Sequence, residues 1–149
     1  MKKNRVVSLV MVLVVSMLMF TGCTLKDAVT SRKVVASEDG KRLEVTLKAD
    51  VSKNLEWKYI ALSGNLVESQ SQVENDMFSD TYIENYTLSM NDTLSDTLVL
   101  FLIENGDTEK ARAYLYDISF DGDKIQIGEP QEKTVGYDKK LKEVIDQAK

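Results

Sequence analysis

The chain of 149 residues contains no histidine, one cysteine (Cys23), one proline and one tryptophan. Without histidine, the commonest general base and transition-metal ligand are missing. Hydrolases built on Ser-His or Cys-His pairs are excluded, and so is a zinc site with nitrogen or sulfur ligands. A lone cysteine forms no internal disulfide, so stability has to come from a packed core. Basic residues are in deficit, 19 against 24 acidic ones, for a net charge of −5. Such a surface repels phosphate backbones and anionic lipid, which argues against nucleic-acid binding. No stretch supplies the aromatic platform of a sugar-binding cleft, and no internal repeat or low-complexity segment is present.

What the N-terminus does contain is ordered. The basic start MKKNR precedes an apolar run from Val6 to Phe20, followed by Thr21-Gly22-Cys23. Basic, apolar and small-residue regions in that order form a secretory signal, and the run is shorter than the ~20 apolar residues of a membrane-spanning helix. Phe20-Thr21-Gly22-Cys23 resembles the bacterial lipobox, with phenylalanine where leucine is usual. The resemblance implies cleavage after Gly22, a diacylglycerol on the Cys23 thiol, and attachment to the outer side of the cell membrane or envelope. The alternative is a plain signal peptide cut near Gly22 that leaves a free thiol. Residues 1–22 are thus expected to be a signal peptide and residues 23–32 a tether. Loss of Lys2, Lys3 and Arg5 with the signal leaves 16 basic against 24 acidic residues, or −8.

Beyond the tether the apolar residues alternate. Arg42–Lys48 sets Leu43, Val45 and Leu47 against Glu44, Thr46 and Lys48, the pattern of a half-buried strand. Lys33–Ala36, Leu55–Ala61, the more polar Leu66–Val73, Tyr82–Met90, Ala111–Phe120 and Lys124–Ile127 read as further strands. Thr97–Ile103, TLVLFLI, is apolar on both faces, as a central strand is. Seven to eight short strands separated by turn signals predict an all-β, immunoglobulin-like antiparallel sandwich over residues 33–128. In the C-terminal tail, residues 129–149, Leu141, Val144, Ile145 and Ala148 fall at helical spacing behind Asp138 as N-cap. That helix is expected to pack on its own domain or fray, with partner binding as the alternative.

Trp57 follows the polar stretch Asp50–Asn54. In an immunoglobulin-like sandwich a third-strand tryptophan fills the core between the sheets, and Trp57 is assigned that structural role. Ala49–Trp57 resembles the first inhibitory loop of the chagasin family of cysteine-protease inhibitors, where Asn-Pro-Thr-Thr-Gly is followed by an aromatic, a variable residue and tryptophan. Asp50 stands at the asparagine, Val51 at the proline, Ser52 and Lys53 at the threonines, Asn54 at the glycine and Leu55 at the aromatic. Asparagine suits the glycine position because it tolerates left-handed backbone. The resemblance runs in outline to Ile127. The second loop, Glu74–Asp80, lacks the family's glycines, and the third, Glu104–Lys110, lacks its Arg-Pro-Trp.

The resemblance implies a lipid-anchored module whose end loops, led by Asp50, Val51, Ser52, Lys53 and Asn54, bind a protein partner such as a papain-like cysteine protease. An adhesion, sensing or envelope-assembly module on the same fold is the alternative. The reading assigns no catalytic residue, no cofactor and no metal. Asp121-Gly122-Asp123 and Asn105-Gly106-Asp107 fall where hairpin turns need residues that accept positive φ, so turn chemistry ranks above calcium. Tyr82, Tyr86, Tyr114 and Tyr116 alternate within strands and are assigned to packing. The sequons at Asn85 and Asn91 carry no weight in a bacterial lipoprotein.

Overall fold

The computed structural model describes residues 30–76, 80–90 and 94–149. The signal segment, Cys23, most of the tether, residues 77–79 and the Asn91 sequon lie outside the described residues. Two antiparallel sheets face each other. The first is built from β1 (Ser31–Ala36), β2 (Arg42–Asp50), β4 (Leu66–Asp76) and β5 (Thr81–Met90), in the order β1-β2-β5-β4. The second contains β3 (Leu55–Ala61), β6 (Ser95–Glu104), β7 (Asp107–Phe120) and β8 (Ile125–Ile127), in the order β3-β6-β7-β8. A ninth strand, β9 (Gln131–Thr134), pairs with β7. With the first, second, fifth and fourth strands facing the third, sixth and seventh, this is the strand order of a constant-type immunoglobulin sandwich.

Alternation places the core. Leu43, Val45, Leu47 and Ala49 of β2 meet Leu98, Leu100 and Leu102 of β6 in one buried cluster. Trp57 joins it at 4% exposure and ties the sheets together. Its indole Nε1 donates to the Lys48 carbonyl at 2.8 Å, while its backbone N–H donates to the Tyr82 hydroxyl at 3.0 Å. The Tyr114 ring lies 6.0 Å away, centroid to centroid. Tyr114 and Tyr116 are buried, and Tyr82 and Tyr86 pack against the same cluster, so all four tyrosines serve packing.

The outward residues of β6 are buried too. Val99, Phe101 and Ile103, with Ala111 and Ala113 of β7, are covered by Val135, Leu141, Ile145 and Ala148. Leu141 and Ile145 belong to α1 (Lys139–Ile145), flanked by Val135 and Ala148, and its N-cap Asp138 accepts from the N–H groups of Lys140 and Leu141 at 3.1 and 3.2 Å. A helix this short does not persist alone in water, so the apolar contact holds it. Gly136 permits the approach, since a Cβ there would lie 2.5 Å from the Glu109 carbonyl oxygen. Residues 131–134 thus join the second sheet and residues 135–148 form a third layer of the domain, rather than a separate tail. Beyond the helix, Lys149 exchanges both backbone hydrogen bonds with Tyr59, at 2.9 and 3.0 Å, on the edge of β3.

Several strands outrun the expected bounds. β7 starts at Asp107 rather than Ala111, β4 reaches Asp76 rather than Val73, and β1 takes Ser31 and Arg32 from the tether. Their extra residues are polar and are held by ladder hydrogen bonds, which leave no hydropathy signal. Asp96 is a second unforeseen feature. Only 5% exposed, its carboxylate accepts from the N–H groups of Ser63, Asn65, Leu66 and Thr97 at 2.7 to 3.0 Å. It thereby closes the β3–β4 connection.

Asp96→Ala leaves the buried Leu66 N–H and three partly buried donors unpaired and is expected to cost about 2 kcal/mol or more. Denaturant unfolding followed by Trp57 emission measures it, and an unchanged midpoint would refute the role. Removing residues 135–149 uncovers Val99, Phe101 and Ile103. The shortened chain should bind a hydrophobic dye and aggregate; a monomer with the native unfolding midpoint would show the third layer to be dispensable.

Candidate functional site

The Asp50–Asn54 connection is a single 3-10 turn over Val51–Lys53, closed at both ends by its own side chains and backbone. Asp50 is buried, and its carboxylate accepts from the Ser52 hydroxyl at 2.5 Å and the Ser52 N–H at 3.0 Å. Lys53 Nζ lies 3.7 Å from the same carboxylate. The Ser52 hydroxyl above all, helped by the Ser52 N–H and Lys53, holds the Asp50 carboxyl below the usual aspartate range despite its partial desolvation. Asn54 sits in the left-handed region at φ 49°, a conformation asparagine tolerates better than most residues. Asp50 thus faces inward as a capping group. Val51, Ser52, Lys53 and Asn54 are exposed, with Val51 as an apolar tip.

Neighbouring connections are fastened to this turn. The Val51 N–H donates to the Asp80 carbonyl at 2.7 Å, and the Asn105 N–H donates to the Asn54 carbonyl at 2.9 Å. The Asn54 side-chain amide donates to the Asn105 side-chain oxygen at 3.2 Å. The three expected connections therefore share one end of the sandwich. Their shapes differ from expectation. Glu74–Asp76 belongs to β4, and Glu104–Lys110 is no loop at all. It is a two-residue hairpin turn, with Asn105 at φ 53° and Gly106 at φ 71°, a type I′ geometry matching the twist of the strands it joins. Asp107 beyond the turn pairs with Lys110 at 3.1 Å. Asp121, at the other acidic turn, accepts from the N–H groups of Asp123 and Lys124, each at 2.8 Å. In each acidic turn one aspartate, Asp107 or Asp121, thus spends its carboxylate locally.

A second cluster lies where β3, β4 and β5 meet between the sheets. The Tyr59 hydroxyl donates to Glu68, and the Tyr59 and Tyr86 rings are 4.6 Å apart. Burial above all pushes both hydroxyl pKa values up, and adjoining carboxylates push further, so these tyrosines stay neutral and hold no activated nucleophile. Glu68 is held below the usual glutamate range by the Tyr59 hydroxyl. Glu84 goes the other way: burial raises its pKa and repulsion from Glu56 adds to this, while a hydrogen bond from Tyr86 opposes. One Glu84 oxygen, Oε2, is buried without a partner. Sequence reading passed over Glu84, yet its register shows it. Tyr82, Glu84, Tyr86, Leu88 and Met90 share one face of β5, so Glu84 takes a core-facing place.

A carboxyl whose folded pKa is raised contributes most below its unfolded pKa, and that contribution is lost as pH rises through the folded value. Glu84→Gln should therefore be more stable than the parent at neutral pH, with the gap shrinking as pH falls toward the ordinary glutamate value. Urea midpoints of the two chains across that range test this. A gap that widens toward acid would reverse the assignment.

No protein-family model, curated protein or solved structure matches the chain, so the site is read from its own residues.

Proposed function

We propose that this chain is a lipid-anchored, extracytoplasmic binding module that docks a protein partner on the end face formed by Asp50–Asn54, Asp80 and Asn105–Gly106. The observation that carries the reading is the mutual fastening of these connections by the hydrogen bonds of Val51, Asn54 and Asn105. A face already held in shape loses little conformational entropy on binding. Val51, exposed among polar neighbours, supplies an apolar contact at its tip. The lipobox-like segment ending at Cys23 supports the anchor, with acyl chains giving the attachment. The absence of histidine supports binding over hydrolysis.

Inhibition of a papain-like protease is the second reading. It is favoured by the length of the first turn and by Asn54 in the left-handed conformation that the family's glycine would adopt. Against it, the third connection has only Asn105 and Gly106 to present. Adhesion, sensing or envelope assembly therefore fits the face better.

The test uses the full chain in a non-ionic detergent as bait for envelope extract, beside a variant with Asp50–Asn54 replaced by glycine and serine. The parent should retain a partner that the variant loses, and equal recovery would remove the turn from the site. Papain activity should be unaffected by micromolar chain. Stoichiometric loss of that activity, abolished by the same replacement, would establish inhibition instead.

A further inference from the structure

Beside the Asp50–Asn54 turn, a cleft of about 300 Å3 opens between the sheets, and three cations line it: Arg32, Lys53 and Arg112. Leu55, Trp57 and Tyr114 form its apolar walls. We propose that this cleft binds a phosphate group carried on a small apolar or aromatic body.

The placement of the arginines carries the inference. Arg32 falls in register with Val34 and Ala36, and Arg112 with Tyr114 and Tyr116, which are core-facing positions of β1 and β7. Both sit at the rim of those faces, Arg32 half-buried and Arg112 exposed, so a solute in the cleft can reach them. Among the described residues neither arginine has a carboxylate within ion-pair distance. Arg32 is oriented by aromatic groups instead. Its guanidinium carbon lies 3.5 Å from the Tyr114 ring centroid, and its Nε donates to the Tyr116 hydroxyl at 3.0 Å. That arrangement occupies one face and one N–H of the fork, and among the described residues neither terminal amino group has a hydrogen-bond partner. A planar guanidinium held in this way matches two phosphate oxygens at once. Lys53, whose nearest carboxylate is Asp50 at 3.7 Å, brings the third positive charge to the rim. On a chain with a net charge of −5, three cations around one cleft reverse the local sign. A phosphate answers that charge more fully than a single carboxylate does.

The phosphate has two sources, a soluble ester or a phospholipid headgroup. Thr30 lines the rim, seven residues after Cys23. A lipid on Cys23 would hold the cleft within about 25 Å of a membrane surface, so headgroups fall within reach. The inference does not depend on a protein partner at the end face, because the arginines belong to β1 and β7.

The experiment exploits Trp57, which is the only tryptophan and a wall of the cleft. The full chain in non-ionic detergent is titrated with phenyl phosphate and, separately, with phosphatidylglycerol dispersed in the same detergent. Phenol and a neutral diacylglycerol, which lack the phosphate, are the controls. Expected is a saturable change in Trp57 emission that weakens with added salt. The dissociation constant should rise about tenfold or more in Arg32→Gln and in Arg112→Gln, as loss of a charge-assisted hydrogen bond implies. Far-UV circular dichroism confirms that each variant is folded, and Lys53→Gln on the exposed turn replaces any variant that is not. A response to phenyl phosphate assigns a soluble ester, and a response to phosphatidylglycerol alone assigns the headgroup. Silence with both, a response matched by the controls, or unchanged affinity in the folded arginine variants would overturn the site.

Discussion

One indole ring fixes the relation between the two sheets. Trp57 belongs to β3, yet its Nε1 is bonded to the Lys48 carbonyl of β2 and its N–H to the Tyr82 hydroxyl of β5. Dispersion alone would let the sheets slide, because apolar contact is non-directional. These two directional bonds set the register of one sheet over the other. They also decide where the 3-10 turn sits, since Asp50 ends β2 and Leu55 begins β3 only two residues before the ring. The end face and the cleft beside it inherit their geometry from this anchor.

Without a disulfide, the rest of the stability has to come from area, and the chain obtains it by stacking three layers. β6 is the shared element: Leu98, Leu100 and Leu102 serve the inter-sheet core while Val99, Phe101 and Ile103 serve the layer under α1. Burial of such side chains is worth roughly 1.5–3 kcal/mol each, an upper estimate against a compact unfolded chain. The helix and the second sheet depend on each other. Seven residues are too few for an autonomous helix, and the outer face of β6 is too apolar to meet water.

The parts of this arrangement visible in the sequence were those written in alternating hydropathy. The strands over Arg42–Lys48 and Leu55–Ala61, the buried Trp57 and the capped helix after Asp138 all carry such a signal, because their side chains choose between oil and water. β9 carries none. Gln131, Glu132 and Lys133 are all exposed, and only backbone pairing with β7 makes them a strand. Asp96 was hidden for a related reason, since its partners are backbone N–H groups that no side-chain pattern records. At the candidate site, the left-handed Asn54 was legible from residue type, as was the turn chemistry of Asn105-Gly106. The fastening of one turn to the other was not, because it is made by Val51, Asn54 and Asn105 groups that any sequence could supply. The converging arginines were masked by the strand pattern itself. Each occupies a single core-facing position, and only the crossing of β1 over β7 brings them to one cleft.

The carboxylates divide by task in a way that explains how an acidic chain keeps a basic cleft. Asp39, Asp50, Asp107, Asp121 and Asp138 are each spent on local hydrogen bonds in turns or caps, led respectively by Ser37, Ser52, Lys110, Lys124 and Lys133, and all are held below their ordinary range. Groups so shifted support folding above their unfolded pKa, and that support fades as pH falls through the lowered values. Glu84, pushed upward mainly by burial, has the opposite sign. Acid therefore loosens the connections while relieving the inter-sheet cluster. Asp50 alone of these acids lies within ion-pair distance of a cleft cation, and the Ser52 hydroxyl and N–H already engage its Oδ1. By tying its acids to nearby backbone, the chain leaves Arg32 and Arg112 without a carboxylate among the described residues, and an outside anion becomes the group that completes them.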